Sequence, residues 1–186
     1  HTADPDAYFD LRKCLSELPM PFYLLAGNHD RRKEMLAAFP DILIDRDGFI
    51  QFELSCSAGR FLMLDTVEEG KGWGSYCETR LRWLRETLAK ANDHRVYLFM
   101  HHPPFDIGIP SVDRLGLGAD GRKIIEDLAY FKNIRHLFFG HVHRPIAGSW
   151  RGIPYSTLRG TNHQVPLDFE AVEVVPKSHE PPAYAV

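Results

Sequence analysis

Three apolar runs frame this chain: Phe22-Tyr23-Leu24-Leu25-Ala26, Val96-Tyr97-Leu98-Phe99-Met100 and Ile134-Arg135-His136-Leu137-Phe138-Phe139. Aromatic and branched residues over five or six positions fit strands buried on both faces of a parallel or mixed sheet. Helical periodicity fills the spaces between them. Asp4 to Leu18 has Asp4 as N-cap, Pro5 at the favoured first position, and Tyr8, Leu11, Leu15 and Leu18 as its apolar stripe. Pro19 and Pro21 end it. A second helix is expected from Arg31 to Phe39. A third spans Glu78 to Lys90, with Leu81, Leu84 and Leu88 on one face and Trp83 beside them. A fourth runs from Asp120 to Tyr130. Phe49–Leu54 and Phe61–Leu64 are expected to pair across a turn at Ser57-Ala58-Gly59, and short strands are expected at Ala147–Trp150, Ile153–Thr157 and Phe169–Val175. The pattern describes one layered α/β domain over residues 1–175, with a proline-rich extended tail over 176–186.

Each of the three runs leads directly into a histidine-bearing stretch: Gly27-Asn28-His29-Asp30, His101-His102-Pro103-Pro104 and Gly140-His141-Val142-His143. Open α/β sheets put their chemistry at the carboxyl ends of strands. Convergence of three such ends would gather Asn28, His29, His101, His141 and His143 into a metal site. One amide oxygen with several imidazoles suits Zn, Mn, Fe or Co, and does not suit calcium or a thiolate-bound metal. His141 and His143 are two apart: extended, they share a face, whereas in a tight turn they splay toward two neighbouring ions. Gly27 and Gly140 are expected to allow a sharp change of direction, and Pro103 and Pro104 to stiffen the chain after His101. Taken singly, Asn-His-Asp makes a good turn and His-x-His an exposed strand. It is the three together, each behind a buried strand, that point to metal. His163 follows a short strand and is expected to border the substrate pocket. His102 is expected to be structural, His1 to face the pocket, and Arg31 and Arg32 to be solvated at a helix start. The loop over residues 107–118 is expected to shape specificity, with no role assigned to Asp106 or Asp113.

Composition narrows the partners. With 186 residues, 44% hydrophobic and 25% charged, the chain is ordinary globular material. A net charge of −3 without long blocks of either sign gives no footprint for a nucleic-acid polymer or an anionic membrane. No apolar stretch approaches the roughly 20 residues that span a bilayer. The opening His1-Thr2-Ala3-Asp4-Pro5-Asp6 has no signal-peptide pattern. Cys14, Cys56 and Cys77 are odd in number and lack metal-ligand spacing, so reduced thiols and a cytoplasmic location are expected.

The three stretches, in this order, resemble the calcineurin-like metallophosphoesterase superfamily. His101-His102-Pro103-Pro104 and Ser156-Thr157-Leu158-Arg159-Gly160-Thr161-Asn162-His163-Gln164 are most similar to its cyclic-nucleotide and glycerophosphodiester phosphodiesterase branch. The resemblance spans roughly Asp4 to Val175. It implies a four-layer α-β-β-α sandwich and two divalent metal ions bridged by a carboxylate and a water or hydroxide. It also implies Asn28, His101 and His141 as ligands of one ion and His143 of the other. His29 would steady the transition state or protonate the leaving oxygen, with Asp30 orienting it. The implied substrate is a small phosphodiester, with a phosphomonoester or nucleotide pyrophosphate as the alternative on the same site; a homo-oligomer is a further expectation. Two elements of the family pattern, an Asp-x-His and a Gly-Asp pair, do not occur in these residues. The resulting expectation is a fragment lacking its first strand-helix-strand unit, binding one ion well and weakly active or inactive, or else a scaffold with a degenerate site.

Overall fold

The computed structural model describes residues 3–186, so the expectation for His1 falls outside the described residues. Six strands form one mixed sheet: β1 (Phe52–Cys56), β2 (Gly59–Leu64), β3 (Val96–Met100), β4 (Ile134–Phe139), β5 (Ile146–Trp150) and β6 (Ile153–Thr157), in the order β1-β2-β3-β4-β6-β5. The central four run parallel, and β1 and β5 fold back antiparallel on β2 and β6. The helices are α1 (Pro5–Leu15), α2 (Arg32–Ala38), α3 (Glu78–Lys90), α4 (Pro110–Asp113) and α5 (Gly118–Leu128).

Alternation along the strands builds two cores. Leu62, Leu64, Leu98, Met100, Leu137 and Phe139 join Leu81, Leu84 and Leu88 of α3 and Ile124, Ile125 and Leu128 of α5. The intervening Phe61, Met63 and Phe99 join Tyr8, Ala26, Met35, Phe39 and Ile50. An aromatic ladder crosses that second face, with Phe61 at 5.8 Å from Phe99, Phe99 stacked on Phe138 at 4.7 Å, and Phe138 on His136 at 4.2 Å. Each fully buried Leu or Ile contributes about 1.5–3 kcal/mol, so the α3/α5 side is the main anchor of the sheet.

α1 begins as expected, with Asp4 accepting from Asp6 N at 3.0 Å and Pro5 in its first turn. It stops three residues early. The last turn tightens into Glu17 N→Cys14 O and Leu18 N→Leu15 O bonds, while Ser16 Oγ takes Lys13 O.

Two expected strands are not strands. Phe22–Ala26 runs extended over the second face of the sheet, with Phe22 edge-on to Phe39 and Tyr23 tilted against Phe52. Leu24, Leu25 and Ala26 pack on that face while Phe22 and Tyr23 stay exposed, and among the described residues no strand pairs with its backbone. Phe169–Val175 is likewise irregular. Asp168 Oδ1 accepts from Glu170 N and Ala171 N, turning the chain, and Val172 and Val174 are exposed, so no core face rewards an extended pairing. Where a four-layer sandwich was expected, the described residues hold a single six-stranded mixed sheet. The segment over 176–186 is tied to the body: Gln164 and Ser178 exchange both backbone bonds at 2.8 Å, and Glu180 pairs with Arg144.

Candidate metal centre

β3 and β4 end side by side, and a Gly140 N→Met100 O bond of 3.3 Å carries their pairing one step past the strands. This sets His101 beside Gly140. The turn after Phe22–Ala26 arrives from the other side. A Cβ at Gly27 would lie 2.9 Å from His101 Nδ1, and one at Gly140 would lie 3.1 Å from it. The His101 ring is thus held between two backbones that only glycine permits. Neither glycine has a positive φ, so close approach, and not the expected change of direction, is what requires them.

Asn28 Oδ1 is 2.9 Å from His101 Nε2, and His141 Nδ1 is 3.3 Å from the same nitrogen. The structure brings these three side chains together. His141 and His143 take φ of +64° and +50°, so the His-x-His pair lies in a tight left-handed turn, the second of the two geometries open at the sequence level. Such backbone costs on the order of 1–3 kcal/mol per residue and persists where surroundings enforce it. Here Val142, fully buried between the two, supplies the anchor. Asn28, His29, His141, His143, His163 and Lys177 line a shared cleft of about 340 Å³.

His102 joins the cluster. It is fully buried, with Nδ1 at 2.8 Å from Thr66 Oγ1 and its backbone N–H donating to the same oxygen. Its Nε2 is buried without a hydrogen-bond partner, and ligand atoms of His101, His102 and His141 all lie within 4.8 Å of one another. Thr66 holds His102 as expected of a structural residue, and its ring also stands in the three-histidine cluster.

Burial, followed by the repulsion of neighbouring imidazoles, pushes the His101 pKa well below its ordinary value. Burial likewise takes His102 down to about 3 and His141 to about 4. These rings stay neutral at physiological pH, and neutral imidazole nitrogen is the form that ligates a cation. Neutral donors, an amide oxygen and a buried orphan nitrogen together fit a divalent transition-metal ion.

Asp30 works through the turn. Its Oδ2 accepts from Gly27 N and its Oδ1 from the Tyr8 hydroxyl, each at 2.7 Å, so α1 and the Asn28–His29 turn are pinned by one carboxylate. Burial and that carboxylate raise the Tyr8 hydroxyl pKa. Arg32, expected to be solvated, clamps Asp65 with Nε and Nη2 at 2.7 Å each. Asp113 caps the long loop by accepting from Ile107 N and Gly108 N. Asp65 and Thr66 were missed in the sequence, and Tyr8 was read only as part of the apolar stripe of α1. Asp65-Thr66 follows the apolar Phe61–Leu64 directly, so the strand-end rule applied there would have found both.

Residues 4–145 match the family model of the calcineurin-like phosphoesterases, and the chain belongs to that family. It is 41% identical over its full length to a probable cyclic nucleotide phosphodiesterase of Rhodopseudomonas palustris, covering 68% of that protein. It is 30% identical over 96% of its length to the probable glycerophosphodiester phosphodiesterase GpdQ of Arcobacter nitrofigilis, covering 66% of it. The 3',5'-cyclic adenosine monophosphate phosphodiesterase CpdA of Escherichia coli matches at 29% over 148 residues, 78% of this chain and 52% of that one. The chain thus spans between half and about two thirds of the length of these relatives. A crystal structure of a dimetal phosphatase from Danio rerio superposes with a TM-score of 0.67 at 18% identity, over 84% of this chain and 66% of that one, and shares its fold. No described helix is long and apolar enough to cross a membrane.

Proposed function

We propose that this chain forms the metal-binding body of a cytoplasmic phosphodiesterase acting on small phosphodiesters, cyclic nucleotides first among them. The observation that carries the reading is the convergence of Asn28 Oδ1 and His141 Nδ1 on His101 Nε2 at 2.9 and 3.3 Å. The naming of its relatives as cyclic nucleotide and glycerophosphodiester phosphodiesterases supports the substrate class. Asn28, His101 and His141 would hold one divalent ion, Mn, Fe, Zn or Co, and His143 would engage a second. Bound there, such ions supply Lewis acidity toward phosphoryl oxygens and lower the pKa of a coordinated water.

The chain's own residues do the rest. The Gly27–Asp30 turn, held by the Asp30 carboxylate, aims the Asn28 amide inward and leaves His29 at the mouth of the cleft. Burial lowers the His29 pKa below its ordinary value, so from there His29 would act through its minor protonated form, passing a proton to the departing oxygen. His163 lines the same cleft and would border the substrate.

Isothermal titration with Mn(II) tests the assignment, together with hydrolysis of bis(4-nitrophenyl) phosphate and 4-nitrophenyl phosphate. The chain takes up metal, Asn28→Ala weakens uptake at least tenfold, and any turnover favours the diester. A chain that binds no metal, or an Asn28→Ala variant that binds as tightly as the parent, sinks the reading.

A further inference from the structure

The segment Gly160–Gln164 closes on itself through one side chain. Gly160 N donates to Gln164 Oε1 at 2.9 Å, and Gln164 Nε2 donates back to Gly160 O at 2.8 Å. Gln164 is fully buried, an unusual place for a primary amide unless every polar atom is used. Its backbone is held from outside by the tail, through the paired bonds with Ser178. The tail is held in turn by Glu180, whose oxygens take Arg144 Nη1 and Nη2 at 2.9 and 2.6 Å. Arg144 follows His143 directly, and its Nε donates to Val165 O at 2.7 Å, while Val165 N reaches His143 O at 3.3 Å.

The product of this closed loop is one contact: His163 O lies 2.8 Å from His143 Nδ1. A backbone carbonyl can only accept, so Nδ1 carries the proton. In the neutral ring Nε2 is then bare. Gly160 is part of the same device, because a Cβ there would stand 2.9 Å from His143 Nδ1 and 2.8 Å from His163 O.

We propose that Gln164, by locking the Gly160–Gln164 loop under the tail, is a positioning residue that fixes the tautomer and direction of His143. Its relevance to metal rests on the reading of His143 as a ligand. Ligating histidines that donate their second N–H to a carbonyl have a set ring orientation and a more basic ligand nitrogen, and loss of that partner costs about 10–100-fold in metal affinity.

Long-range ¹H–¹⁵N spectra of the histidine-labelled, metal-free chain at about pH 8 read the tautomer of each ring directly. His143 is the Nδ1–H form in the parent. In Gln164→Met, which keeps the volume and loses both amide bonds, and in Gly160→Ala, which intrudes on the contact, it becomes a mixture of both tautomers while His136 is unchanged. On titration with Zn(II) the parent's His143 Nε2 shifts, and the two variants require about 10–100-fold more metal to match it. If Gln164→Met fails to fold, Gly160→Ala carries the test. A parent His143 in the Nε2–H form, or folded variants that keep a pure Nδ1–H form, overturns the proposal. Should Zn(II) leave the parent's His101, His141 and His143 all unmoved, the metal reading fails, while the tautomer result still decides the role of Gln164.

Discussion

Asp65→Ala should be among the most damaging single truncations in this chain. The carboxylate is fully buried and accepts from Arg32 Nε and Nη2 at 2.7 Å, Ile50 N at 2.9 Å and Val67 N at 3.0 Å. Arg80 stands at 3.8 Å, its side chain only 4% exposed. Alanine leaves two cations without their counter-charge and two backbone N–H groups without an acceptor. Breaking a buried ion pair from one side costs about 3–5 kcal/mol, and each orphaned donor about 1–3 more. Three things discount that sum. Arg80 keeps the carbonyls of residue 65 and Val67. Arg32 is 18% exposed and can turn to Glu69, already at 3.5 Å. Water can also enter the vacated volume. The net expectation is about 4 kcal/mol, a large part of the roughly 5–15 kcal/mol that holds a domain together. At about 2–4 °C per kcal/mol for a chain of this size, Tm falls by roughly 8–16 °C. Urea unfolding, followed by tryptophan fluorescence and circular dichroism, measures it. A loss below about 1 kcal/mol at an unchanged m-value would refute the reasoning, because it would mean the two arginines are solvated without Asp65.

Tyr8→Phe removes only the hydroxyl that donates to Asp30 Oδ1, a bond to a charged acceptor worth about 1.5–3 kcal/mol. It should lower stability by that amount in urea and speed exchange of the Gly27 N–H on the same carboxylate; unchanged exchange would show that the turn holds itself. Arg144 keeps the Glu180 carboxyl below its ordinary 4.5, so its contribution to tail docking is present above that value and is lost as pH falls below it. Proteolysis of the tail should therefore accelerate on acidification, with Glu180→Gln already susceptible at neutral pH and flat across the range; a parent tail equally protected on both sides of the transition argues that the Ser178 bonds and the Arg159 contact with Pro181 O secure it.

The elements legible in the sequence are those whose side chains face a core on every turn or pleat. Glu78–Lys90 and Val96–Met100 lie where periodicity put them, because Leu81, Leu84 and Leu88, and Val96, Leu98 and Met100, are each fully or nearly fully buried. Phe22–Ala26 carries the same apolar signature but no ladder. Side-chain pattern records what a segment packs against and is silent about whether its backbone meets a neighbour. Phe169–Val175 failed for the converse reason: its valines are branched enough for a strand, yet Val172 and Val174 are exposed and only Val175 packs on a core cluster. The donors Asn28, His101 and His141 were legible because each follows an apolar run, and Asp65-Thr66 satisfies the same rule. Tyr8 to Asp30, Gln164 to Gly160 and Glu180 to Arg144 were not. They join polar residues across turns or long separations, and nothing in the residue types selects one such partner over another.

The two glycines at the site show how a local reading can find the right residue and miss its reason. Gly27 and Gly140 each precede a proposed ligand, so a single-chain argument assigns each to the turn it opens. The structure assigns both to His101, a residue on neither turn. A methyl group at either position would press on the ring whose Nε2 meets Asn28 Oδ1 and His141 Nδ1. The ends of β3 and β4 and the turn after Phe22–Ala26 are therefore coupled by exclusion as much as by hydrogen bonds. His101 can stand between the other two only because both backbones are bare where they pass it, and its burial there is what keeps the ring neutral and fit to hold a cation. The glycines thus belong to the donor set in the physical sense. They set the spacing at which an amide and two imidazoles meet, and they do so across the chain, where the adjacent residues in sequence gave no sign of it.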